Sequence, residues 1–166
     1  QVDAAVRDAT MNRNDAGAPG RLAMVLHAYQ QFDPAEQCYR RAHEMAPRAF
    51  EWAYYLSVVE QIRGERMSAL EDGQTAVALK PSSKPARRRL ADILLEGGRN
   101  DESRKIYAAL VKEDPNDAAF HYGLGRALAT QGGTLLDAIE QYKTRLPARA
   151  DIRRRASGAL EELYPD

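Results

Sequence analysis

The chain of 166 residues is short of cysteine, has no excess charge of either sign and contains no long apolar run. A single cysteine, Cys38, excludes an internal disulfide framework and any Cys-rich zinc site. A chain without disulfides suits the cytoplasm or the periplasm equally, so the compartment stays open. Lys and Arg number 24 against 24 Asp and Glu, a formal net charge of zero. Nucleic-acid binders carry a basic excess that displaces counterions from phosphate, so nucleic acid is not an expected partner. The same neutrality gives no reason to expect an anionic membrane surface. No apolar stretch approaches the roughly 20 residues that span a bilayer, so membrane insertion is not expected either. The first residue is Gln1 rather than Met, and an excised piece of a longer protein is the favoured reading over a trimmed leader.

What the chain does have is a period. Leu22, Leu56, Leu90 and Leu124 are 34 residues apart, and Pro47, Pro81 and Pro115 keep the same interval. That length matches one helix–turn–helix unit of a stacked array, in which each unit needs a neighbour to bury its apolar face. Units beginning at Ala16, Phe50, Lys84 and Ala118 put four copies in register. Place 8 is then Ala23, Ser57, Ala91 and Gly125. Place 20 is Ala35, Ala69 and Ser103, with Ala138 one residue late, and place 27 is Ala42, Ala76 and Leu110. Gly64, Gly98 and Gly132 also recur at 34.

This pattern resembles the tetratricopeptide repeat, over about residues 16 to 147. The resemblance implies an all-α fold, a right-handed superhelix (solenoid) of stacked antiparallel helix pairs. Its expected parts are a partial repeat helix over 1–15, four repeats over 16–49, 50–83, 84–117 and 118–147, and a capping helix over 148–166. The chemistry of each place agrees. Small residues at places 8 and 20 let the two helices of a unit approach within about 8 Å. Proline at place 32 stops the second helix, and the recurring glycines supply positive φ where the first helix ends.

Departures also carry expectations. Place 4 holds Pro19, Ala53, Arg87 and His121, so packing there is expected to be looser or to be taken over by Trp52 and Phe120. Place 24 holds Tyr39 and Tyr107 but Gly73 in the second unit, which should leave a gap there. Residues 130–137 carry one extra residue, as befits a unit near the end of a stack.

No catalytic constellation is visible. His27, His43 and His121 fall at different places of different units, and no His/Glu pair has zinc-ligand spacing with a third ligand. The runs Arg87–Arg89 and Arg153–Arg155 spread over roughly 200° of a helix and form no single patch. No cofactor, metal site or enzymatic activity is expected.

The resemblance places the first helices of successive units on the concave side. It makes Met24, His27, Tyr54, Val58, Gln61, Arg88, Asp92, Leu95, Tyr122 and Arg126 the candidate ligand-facing strip. Its early part is aromatic and apolar, and its later part mixes guanidinium groups with a carboxylate. The expected role is a non-catalytic scaffold holding a peptide or protein segment in that groove, as a monomer or weak homo-oligomer. Arg88 or Arg126 could meet an acidic group by a two-pronged contact. The alternative is a structural or self-associating segment of a larger multidomain protein. The two-carboxylate clamp by which some members of this family bind chaperone tails wants Lys at place 5 and Asn at place 9 of its first unit. Gly20 and Met24 stand there instead, which argues against that role.

Overall fold

The computed structural model describes residues 1–12 and 14–129. The calculated cap over 148–166, Gly132, Pro147 and the second half of the fourth repeat lie outside these residues. Regular structure among the described residues is entirely helical: α1 (Val2–Met11), α2 (Gly17–Ala28), α3 (Phe32–Met45), α4 (Phe50–Arg63), α5 (Arg66–Leu79), α6 (Lys84–Glu96), α7 (Asn100–Glu113) and α8 (Ala118–Ala129). The chain divides into two compact units, Gln1–Ile93 and Leu94–Asp166.

Positions one period apart do the same physical work. The second helices α3, α5 and α7 each end two residues before Pro47, Pro81 and Pro115. The residue ahead of a proline is driven out of the α region by the ring. Ala46, Lys80 and Asp114 accordingly adopt φ of −136°, −140° and −139°. Their N–H groups donate to the carbonyls of Ala42, Ala76 and Leu110, the three place-27 residues.

The first helices end alike as well. Gln31, Glu65 and Arg99 donate their backbone N–H to Leu26, Glu60 and Leu94 at 2.9, 2.9 and 2.8 Å, closing each helix. This closure needs a left-handed residue, and Gly64 and Gly98 supply it with φ of 79° and 75°. In the first repeat the same place is Gln30, with φ of 59°. A side chain in this region costs roughly 1–2 kcal/mol, partly offset by the extra freedom glycine has when unfolded. Gln30 is exposed, so Gln30→Gly should raise stability by about 0.5–1 kcal/mol in urea unfolding; a lower midpoint would contradict the equivalence.

In the Gln1–Ile93 unit, Ala23, Leu26, Ala35, Tyr39, Ala42, Trp52, Leu56 and Val59 form one core cluster. Ala53, Ala76 and Ala86 form another, with Phe50 and Tyr54 against it. The small place-8 and place-20 residues Ala23, Ser57, Ala91, Ala35, Ala69 and Ser103 are fully buried. Trp52 is buried and its ring lies on Gly20, where an added Cβ would fall 2.3 Å from the indole. The tryptophan thus packs α4 onto α2 through the bare backbone.

The gap expected at Gly73 is small. A Cβ there would sit 3.4 Å from Ile93 Cδ1 and 3.6 Å from Leu90 Cδ1, ordinary contact distances. Because glycine inside a helix costs about 1 kcal/mol relative to alanine, Gly73→Ala should stabilise by about that amount. Thermal melting followed by circular dichroism would show it, and a drop in helicity would mean that the site cannot admit a methyl group.

Candidate functional site

The aromatic residues of the first unit are concentrated in one connected set of rings. Phe32 meets His27 edge-on at 5.7 Å, and His27 meets Tyr39 at 6.1 Å. Tyr39 stacks on Tyr55 at 5.5 Å, Tyr55 meets Tyr54 edge-on at 5.4 Å, and Tyr54 stacks on Phe50 at 5.7 Å. All lie in the separation range that ring quadrupoles favour. The set runs through α2, α3 and α4 and holds Tyr54 from beneath.

Burial sets the protonation of its inner members. It pushes the Tyr39 hydroxyl well above its ordinary range, with the neighbouring Tyr55 adding to this. His27 is held below its ordinary value by burial first and by Arg89 second. A neutral imidazole accepts, and the Tyr39 hydroxyl lies 3.5 Å from His27 Nδ1.

The candidate strip residues divide by exposure. In the first unit Met24 and Arg88 are exposed, while His27, Tyr54, Gln61 and Asp92 are half-buried. Gln61 accepts from Arg89 at 2.8 Å, linking α4 to α6. Arg88 Nε lies 3.8 Å from Asp92 Oδ2, a loose i,i+4 pair. In the second unit Tyr122 is exposed and Arg126 stands over its ring at 5.8 Å. Val58, in the first unit, and Leu95, in the second, are buried, at 9% and 8% exposure. Turning such side chains inward is favoured by about 25 cal/mol per Å² of apolar surface removed from water.

A second constellation was not anticipated. Glu60 occupies place 11, where the repeat pattern wants an apolar group, and it is fully buried. Arg40 of α3 donates to Glu60 at 2.8 Å and to Glu36 at 2.7 Å. Arg63 lies 2.8 Å from both Glu36 and Glu65 and also contacts Asp33. On its other side Glu60 faces Asp72 of α5, and the two carboxyls act on each other. Burial, then the Asp72 charge, pushes Glu60 up to about 8. Burial also raises Asp72 above its ordinary value.

Glu36, Glu60 and Glu65 each place an oxygen within 4.8 Å of the others, a spacing that a cation could bridge. Arg40 and Arg63 already lie among these oxygens and supply the counter-charge. The group is therefore an ionic tie between α3, α4 and the turn after α4. The readable signal was a charged residue at an apolar place, and its partners from α3 and α5 become visible only when the helices pack.

Residues 88–151 match the family model of the tetratricopeptide repeat. Among solved structures, a crystal structure of MamA protein is 17% identical, with a TM-score of 0.79, covering 87% of this chain and 78% of that one. The first tetratricopeptide domain of Spaghetti (RPAP3), bound to an HSP90 peptide, is 18% identical, with a TM-score of 0.67 and coverage of 71% and 94%. A tetratricopeptide repeat protein from Parabacteroides merdae is also 18% identical, with a TM-score of 0.71 and coverage of 91% and 60%. No curated protein matches in sequence. The repeating turns, the buried small residues and the shared fold together make the chain an all-helical repeat array similar to tetratricopeptide-repeat proteins, with the family match confined to residues 88–151.

Proposed function

We propose that this array holds a segment of a partner protein against the first helices of its Gln1–Ile93 unit and carries out no chemistry of its own. Arrays of this fold are in general protein-interaction scaffolds. The observation that supports the finer reading is the contrast within the strip. Met24 and Arg88 are exposed, and the half-buried Tyr54 belongs to the connected rings. Tyrosine and arginine are residue types typical of those responsible for binding energy. The Spaghetti domain bound to its peptide supplies an example of the fold in that role.

The test uses residues whose loss should not disturb the core. Met24→Ala with Arg88→Ala should leave the melting temperature nearly unchanged and weaken binding of a partner, identified by affinity capture, by at least about tenfold. Calorimetric titration measures the change, and unaltered affinity would remove the strip from consideration.

The second reading is self-association through the N-terminal end, since α1 buries no residue and leaves Val6 and Met11 exposed. A mass by light scattering that stays at 18.5 kDa over a wide concentration range would count against it.

A further inference from the structure

Sharing Tyr54 with the strip, the first unit has a second concave surface of about 640 Å³ at the start of α4 and the connection from α5 to α6. Its floor is aromatic: Phe50 and Tyr54, one turn apart and stacked, with Tyr55 beside them. Lys80 and Lys84 stand on its rim from the α5–α6 connection and the first residue of α6. The ammonium of the exposed Lys80 is 5.2 Å from the centre of the Phe50 ring, beside the apolar floor.

The backbone explains why the lysines sit there. Pro81 ends α5 and turns the chain back across the start of α4. Ser83 Oγ then accepts from the backbone N–H of Ala86 at 3.3 Å and opens α6. The positive end of the α6 dipole faces the same rim. One carboxylate, Glu51, also lines the groove, against two ammonium groups.

We propose that this groove takes an acidic segment of a partner protein, in which an aromatic side chain is followed by carboxylates. The ring seats on Phe50 and Tyr54, and the carboxylates meet Lys80 and Lys84. Charge complementarity selects this occupant, because two ammonium groups and one carboxylate line the groove. A basic segment would place like charges together at the rim. The proposal rests on the reading of the array as a protein-binding scaffold and adds to it the chemistry of the bound segment and a second place to hold it.

The probes are fluorescein-labelled heptapeptides centred on Phe-Asp-Asp, with controls centred on Ala-Asp-Asp and Phe-Asn-Asn, read by fluorescence anisotropy against the full chain. The first peptide should bind in a salt-dependent manner, and each control should bind about tenfold more weakly. Lys80→Gln and Lys84→Gln, checked for unchanged helicity, should each weaken the first peptide about five- to tenfold. Met24→Ala with Arg88→Ala should leave it unchanged. Equal binding of the Phe-Asn-Asn control, indifference to both lysine substitutions, or no binding of the Phe-Asp-Asp peptide would each overturn the proposal. A peptide that responds to the Met24 and Arg88 substitutions but not to the lysines would keep the strip and reject the groove.

Discussion

Gly123→Ala is expected to destabilise the Leu94–Asp166 unit by about 2 kcal/mol, although it exchanges a helical glycine for the best helix former. A Cβ at position 123 would fall 2.1, 2.2 and 2.6 Å from three ring atoms of Tyr107. No pair of carbons tolerates such distances. Tyr107 is buried, at 1% exposure, so its ring has no open space into which it can retreat. Relief requires α8 to move from α7 or the ring to leave its rotamer, and overpacking of this kind costs about 1–3 kcal/mol or more. The helical preference of alanine returns about 1 kcal/mol of that. Gly73→Ala, the same exchange with 3.4 Å of room, should change stability in the opposite direction. Urea unfolding of the two variants decides the matter. Tyr107→Leu should recover part of the loss in Gly123→Ala, because it removes the obstructing ring; additive losses in that pair would show that the two residues do not touch.

The second large effect concerns pH. Glu60 has a carboxyl ordinarily near 4.5 that the fold raises to about 8, through burial first and the charge of Asp72 second. The folded state therefore binds a proton that the unfolded chain releases between those values. Stability from this site is fully present below pH 4.5 and is lost as pH rises through about 8. One pKa unit corresponds to about 1.36 kcal/mol, and water reaching the site on rearrangement reduces the total, so a loss on the order of 2–3 kcal/mol is expected between pH 5 and 8. His27 acts in the opposite sense, because burial lowers its affinity for a proton. The comparison that isolates Glu60 is with Glu60→Gln. The amide is neutral like the protonated acid, and its oxygen can still accept from Arg40. Wild type and variant should unfold at similar urea concentrations at pH 5, with the variant the more stable at pH 8. Parallel pH profiles would show that Glu60 is ionised in the fold and that Arg40 alone holds it.

How much of this was legible in the chain depends on whether the cause is local. Proline at 47, 81 and 115 acts on the residue directly before it, so the ends of α3, α5 and α7 could be read at once. Gly64 and Gly98 were equally plain. Gln30 was not, because glutamine carries no sign of left-handed backbone, and only the matching hydrogen bond from Gln31 to Leu26 places it in the series. Trp52 is an apolar ring beside place 4 in the sequence, but the surface that receives it is the backbone of Gly20, two helices earlier in the chain. The burial of Val58 and Leu95 likewise depends on how closely neighbouring helices approach.

The period of 34 and the small, leucine and proline places were enough to determine an all-helical repeat array, since each acts within one hairpin or on the next hairpin along. Which groups meet across hairpins was decided by packing. Arg40, Glu60 and Asp72 are separated by 20 and 12 residues and act on one another only when α3, α4 and α5 lie together. The connected rings likewise join side chains of α2, α3 and α4, and Lys80 from the α5–α6 connection meets the Phe50 ring. Burial and the charges of neighbours depend on distance in space, which spacing along the chain does not contain.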